Sequence, residues 1–268
     1  MVTSGVNMRI VLSFICLWIF SLPTYADIVA EGWYKVLSAN VHVGYYVSRF
    51  EYDSKKREFI SKSFLKTNAA GGDITESMEA FADEGMNPIK YSYTSIVGGQ
   101  TTTIDAAVKK NVLVAVKEVS KLDEQPTTKT TKTVSSSSSS SKTKTTIETK
   151  LEKGTFFSSH LALLMLKKGL KVGVNFEYKA VAEEDAKVYD GRSLIKEIKK
   201  AGEKDLFRIL NDYKSVKYVS LMDTTGQLVA TKAPTLGLIT NLQATQKEAT
   251  GNIPVPLKSL KKIFGKLP

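Results

Sequence analysis

The chain has 268 residues, of which 42% are hydrophobic, with one cysteine and a formal charge of +11. A chain of this length can bury its own core, and a single cysteine excludes internal disulfides, thiolate zinc sites and iron–sulfur clusters. The charge does not indicate nucleic acid: Lys121 to Lys153 carries +3 and Leu257 to Pro268 carries +4, so the basicity sits in a linker-like segment and a tail rather than on a folded face.

Residues 1–26 read as a secretory signal. Met8-Arg9 supplies the positive start, Ile10 to Leu22 an apolar core, and Pro23-Thr24-Tyr25-Ala26 a broken end with a small residue, predicting cleavage after Ala26. The apolar run is shorter than a bilayer span requires, which weighs against the alternative of an uncleaved anchor. Cys16 leaves with this segment, so the mature chain has no thiol. Export without disulfides implies a bacterial periplasm or cell envelope.

Residues 27–120 read as the first half of an antiparallel β domain. Val41, Val43, Tyr45 and Val47 alternate with His42, Gly44, Tyr46 and Ser48, a period of two with one buried face. At Phe50 and Tyr52 the apolar phase moves to even positions, which predicts a bulge or sharp bend near Ser48 to Arg49. Further strands are expected at Glu58 to Lys66, Ile74 to Ala80 and Ile89 to Thr94, then a hairpin of Thr101 to Val108 with Val112 to Val119. Short turns without intervening helices imply a meander rather than a parallel α/β sheet.

Residues 121–153 are rich in Ser, Thr and Lys, including the uninterrupted run Ser135 to Ser141, and are expected to be a disordered insertion. The segment reads as a loop within one domain, because the second half has too few strands to close a sheet alone; an inter-domain linker is the alternative. Residues 154–249 then supply a helix and the second half of the β domain. In Ser158 to Gly169, a serine caps the start, Leu161 to Leu166 is apolar all round, Lys167 and Lys168 suit the negative helix end, and Gly169 turns the chain away. Such a helix must be buried against protein or a ligand.

After it, Val172 to Tyr178 alternates as a strand, and Ala180 to Gly191 reads as an acidic loop ending in a tight Asp190-Gly191 turn. Ser193 to Lys199 pairs with Asp205 to Leu210, although the former also reads as a short helix. Tyr213 to Asp223 with Gln227 to Ala233 is the clearest hairpin, and Leu238 to Ala244 reads as an edge strand. Residues 250–268 form a basic amphipathic tail. Lys258, Lys261, Lys262 and Lys266 flank a face containing Phe264, a pattern suited to an anionic membrane surface; the alternative is that its leucines pack back on the domain.

Catalytic patterns are absent from this reading. There is no Gly-x-Ser-x-Gly turn and no HExxH, and His42 and His160 are the only imidazoles, so neither an enzyme nor a metal site is expected. Glu183-Glu184-Asp185 with Asp190 matches no calcium loop and reads as a solvated acidic turn. No cofactor is expected, because Gly71-Gly72 and Gly98-Gly99 lack the strand-to-helix setting of a phosphate loop. The material for an apolar pocket is Leu161, Leu164 and Met165 on the helix with Tyr45, Tyr91 and Tyr93 on strands.

GWYKVLSANVHVGYYVSRFEYD, DEGMNPIKYSYTS, KGLKVGVNFEY and VSLMDTTGQLVAT followed by TLGLI together resemble a group of uncharacterised periplasmic bacterial proteins similar to the lipoprotein-carrier type of half-barrel. The resemblance covers most of Gly32 to Ala249, as order and pattern. It implies a mainly β fold: a strongly curved antiparallel sheet with one buried apolar helix. It also implies that the sheet, lidded by the helix, holds an acyl chain or lipidated peptide. A solid envelope scaffold without ligand is the alternative.

Overall fold

The computed structural model describes residues 26–121 and 141–268. The expected signal segment, Ala26 apart, and most of the serine-rich insertion lie outside the described residues. The first run of strands is β1 (Asp27–Ser38), β2 (Val41–Asp53), β3 (Glu58–Thr67), β4 (Thr75–Asp83), β5 (Pro88–Val97), β6 (Gln100–Lys109), β7 (Val112–Lys121) and β8 (Ser141–Lys150). A two-residue strand β9 (Phe156–Phe157) leads through a 3-10 turn, Ser158–His160, into helix α1 (Leu161–Lys168). The second run is β10 (Asn175–Ala182), β11 (Lys187–Ala201), β12 (Lys204–Tyr213), β13 (Val216–Asp223), β14 (Leu228–Ala233) and β15 (Leu238–Gln243). Two short helices, α2 (Gln246–Thr250) and α3 (Leu257–Phe264), close the chain.

All the strands belong to one sheet, ordered β8-β7-β6-β5-β4-β3-β2-β1-β15-β14-β13-β12-β11-β10-β9. Two meanders are joined where β15 pairs antiparallel with β1, Leu37 opposite Ile239 and Val36 opposite Thr240. A sheet this wide does not lie flat: right-handed strand twist accumulates until it curls on itself, although among the described residues its two end strands, β8 and β9, do not pair and the sheet stays open.

The curl can be followed through β10. Ala180 faces a cluster with Phe50, Met86, Phe156 and Leu163, while its neighbour Val181 packs with Tyr91, Ile104, Leu113 and Phe157. Successive side chains point to opposite faces, so β10 is covered on both sides, by the layer containing α1 and by the inner face of β4 to β8. The β9–β11 end is rolled inside the sheet. The mainly β, strongly curved antiparallel architecture expected from the pattern is therefore present, with one apolar helix inside it.

Several local expectations are corrected. The bend predicted near Ser48 to Arg49 is not in β2: its pairing with β3 runs without a shift from Gly44 to Asp53, while on the other side the nearest irregularity lies in β1, between Ile28 and Ala30 opposite Glu51 and Phe50. The phase change instead marks a strand buried on both faces, Tyr45 and Val47 lying on one side and Phe50 on the other. Ser141 to Lys150, expected as disordered, is strand β8, paired with β7 from Lys121 opposite Ser141 to Val112 opposite Lys150. Asp190-Gly191 is not a turn but lies within β11, whose Ser193 to Lys199 is the strand expected and pairs with β12. Leu238 to Ala244, expected at an edge, contributes the central β15.

Among the described residues no helix is long and apolar enough to cross a membrane.

Candidate functional site

Helix α1 is held from its N-terminal side by a buried acid. Ser158 Oγ donates to Glu183 Oε2 at 2.6 Å, and the Ser159 main-chain N–H donates to Oε1 at 3.1 Å. The predicted serine cap is thus replaced by a carboxylate from the β10–β11 turn that gathers the orphan donors of the helical start. Burial raises the Glu183 pKa, and the hydrogen bonds from Ser158 and Ser159 oppose the rise only in part. His160, beside them, is fully buried; burial lowers its pKa to about 4, a main-chain group of Phe59 opposing. The imidazole is neutral at pH 7 and faces no partner at Nε2 among the described residues.

The helix does not fill the space inside the roll. Between α1 and the inner faces of β2, β12, β13 and β14 lies a partly open cavity of about 190 Å³. Leu161, Ala162 and Met165 of the helix and Phe50, Ile209 and Met222 of the sheet make its apolar wall. The rest of the wall is hydroxyl and amide, including Tyr46, Ser48, Asn211, Tyr218 and Ser220. Ser193 Oγ donates to Asn211 Oδ1 at 2.7 Å, and Asn211 Nδ2 donates to Ser220 Oγ at 3.2 Å and to the Ile209 carbonyl at 3.4 Å. The alternating pattern explains the mixture: Ser193, Asn211 and Ser220 take inward positions on β11, β12 and β13, in the same phase as Ile195, Ile209 and Met222. Burial pushes the Tyr46 phenol up to about 12 and raises Tyr218 further, so both remain neutral donors.

Of the residues expected to line a pocket, Leu161 and Met165 border this cavity. Leu164 points instead toward an open cleft of about 800 Å³ that also contains Phe156, Tyr178 and Gly191. The three tyrosines are not brought to the helix. Tyr45 packs with Trp33, Val47 and Phe64 under the C-terminal segment, while Tyr91 and Tyr93 belong to the cluster between β4–β8 and β10. Their strands are right, but the roll assigns them to different layers. The polar wall, centred on Asn211 and Ser220, was missed; an Asn and two serines in otherwise apolar strand phases were its only sequence signal.

The floor of the open cleft depends on a glycine. Tyr178 stands opposite Gly191, and a Cβ at Gly191 would lie 2.2 Å from Cε2 of the tyrosine ring. The ring therefore lies over the glycine, tilted against Phe156 and Tyr213 with centroids 5.4 and 6.2 Å away. Gly191→Ala should destabilise the fold by about 1–3 kcal/mol through overpacking. Urea denaturation followed by tyrosine fluorescence checks this, and an unchanged midpoint would contradict the packing described.

The tail residues divide by face. Leu260 and Phe264 are buried with Trp33, Tyr45, Val47 and Phe64, while Lys258, Lys261, Lys262 and Lys266 are exposed. The apolar face that membrane insertion needs is thus occupied by the outer side of β1 to β3. The acidic residues are also dispersed: Glu184 and Asp185 pair with Lys214, and Asp190 with Lys179. His42 Nε2 lies 3.0 Å from the Gly44 carbonyl.

No family model matches the sequence, and no curated protein matches it. Among solved structures, the chain is similar to a β-barrel-like protein of domain of unknown function DUF1849 from Brucella abortus. The TM-score is 0.50 at 9% identity, covering 80% of this chain and 98% of the other. At this identity the likeness concerns the fold alone.

Proposed function

We propose that this chain is an exported, non-enzymatic protein of the bacterial envelope that holds an apolar ligand inside its rolled sheet, with α1 as the inner wall. The observation that carries the reading is the partly open cavity of about 190 Å³ beside a helix whose residues Leu161 to Leu166 are all apolar. Well-packed interiors rarely leave voids much larger than a water molecule, and an engineered apolar cavity of about 150 Å³ suffices to bind benzene. The leader-like residues 1–26 support export.

Native mass spectrometry of the protein purified from its own envelope, with uptake of an uncharged hydrophobic dye, is the test. A co-purifying amphiphile or saturable dye uptake is expected. A ligand-free protein that takes up no dye would remove the reading. A second reading, a solid envelope scaffold, is favoured by size: the cavity is smaller than the roughly 300–1,000 Å³ of ordinary small-molecule sites. Under that reading, partner capture persists when the cavity is filled by substitution.

A further inference from the structure

We propose that the cavity selects an uncharged amphiphile, a short acyl or alkyl chain carried on an ester, amide or alcohol, over the same chain ending in a free carboxylate. This rests on reading the cavity as a ligand site and names the chemistry it accepts.

Among the described residues, no Lys, Arg, His, Asp or Glu lines the cavity. Its apolar wall suits a hydrocarbon chain, and its volume suits about six carbon atoms, given that about 150 Å³ holds benzene. Its polar wall is built from neutral groups. Asn211 is committed to Ser193, Ser220 and Ile209, but Ser220 accepts from Asn211 and so keeps its own O–H to donate. Tyr46 and Tyr218 add phenolic hydroxyls to the same wall. Such donors match the carbonyl of an ester or amide, or the oxygen of an alcohol.

An ionised carboxylate meets the opposite situation. The one acid tied to the cavity wall, Glu183, accepts from Ser158 and Ser159 at its edge and offers a carboxylate no cation. The cations of this part of the sheet, Arg192 and Lys217, stand in register on either side of Asp212. That row is in the opposite phase from Asn211, on the other face of the strands. A carboxylate in the cavity would be partly desolvated without a counter-ion, which costs more than burying a hydrogen-bonded neutral group.

The experiment is binding of methyl hexanoate, 1-hexanol and hexanoate to the full chain at pH 7.5, by titration calorimetry or ligand-observed NMR. The ester and alcohol are expected to bind at least tenfold more tightly than hexanoate. Ala162→Phe, which fills the cavity from the helix, should abolish binding; if that variant does not fold, the milder Ala162→Leu should weaken it several-fold. Hexanoate binding equal to or tighter than the ester overturns this selectivity and leaves the ligand-cavity reading standing. No binding by any of the three overturns both. Ester binding unaffected by the Ala162 variants places the site elsewhere and overturns the inference.

Discussion

Replacing Arg49 by methionine is expected to cost about 3–5 kcal/mol, the range for removing one partner of a buried charge network. Arg49 is 3% exposed and lies on the outer face of β2. Its guanidinium meets Glu31 at 2.8 Å and Glu51 at 3.6 Å, and Glu51 also takes Lys62 at 2.9 Å. Its remaining donors go to the main chain that ends α3: Nη1 to the Phe264 carbonyl and Nη2 to the Lys266 carbonyl, each at 2.7 Å. Those carbonyls are among the groups a helix end leaves unpaired, so one side chain both neutralises the acids and caps the C-terminal segment. The Phe264 ring lies beneath it, 5.6 Å from the guanidinium carbon.

Loss of Arg49 leaves buried Glu51 with Lys62 alone, half-buried Glu31 without its cation and two carbonyls without donors. Arg49→Lys should recover little, because a point ammonium cannot serve carboxylates and two carbonyls with a planar fork. Urea denaturation measures the loss. Limited trypsin digestion should release the segment after Lys258 to Lys266 before the sheet is cut, because among the described residues its other side-chain ties to the sheet are Trp33 to the Pro268 carbonyl and Tyr45 to the Pro254 carbonyl. A stability loss under 1 kcal/mol, or a tail that stays resistant to trypsin, would contradict this role.

The strands themselves were legible because alternation is a local signal. What the alternation could not show is which element covers each face. The apparent phase slip at Phe50 was a true feature of the sequence, but it recorded burial on both sides of β2, by α1 within and by α3 without, rather than a bulge. Strand β8 was hidden by composition. Its Lys, Ser and Thr content resembles a solvated linker, yet threonine is well suited to a pleated surface, and the lysines blunt an exposed sheet edge. Lys142 and Lys144 both reach Glu118 on β7, at 2.6 and 3.3 Å. The place of β15 depends on pairing with a strand some two hundred residues earlier, which no local window contains. For the same reason Tyr45, Tyr91 and Tyr93 could be assigned to strands but not gathered correctly into a site. The amphipathic face of the tail was readable in Leu260 and Phe264, whereas its partner was not, because Trp33 and Phe64 carry no mark of facing outward.

The pH dependence of stability should carry the signature of His160. Its folded pKa, about 4, lies below the ordinary value of 6.5 because burial disfavours the imidazolium. Above pH 6.5 the residue is neutral in both states and adds no slope. As pH falls from 6.5 toward 4 the unfolded chain takes a proton that the folded chain refuses, so stability is lost through that window, by about 3 kcal/mol at its lower end for a shift of this size. Glu183 acts in the opposite sense. Its raised folded pKa gives a contribution that is present below 4.5 and is lost as pH rises through the folded value, so acidification restores it. A wild-type profile alone mixes the two. His160→Leu removes the titrating ring from a fully buried site that already contains Phe157, 6.3 Å away by ring centroids, and leaves Glu183 bonded to Ser158 and Ser159. The difference between wild-type and variant unfolding free energies, measured by urea titration from pH 7.5 to 4, should therefore be flat above 6.5 and shift in the variant's favour by about 3 kcal/mol below it. Parallel profiles would mean that the folded protein accepts a proton at His160 as readily as the unfolded chain does, which a site closed to water and lacking a partner at Nε2 among the described residues does not allow.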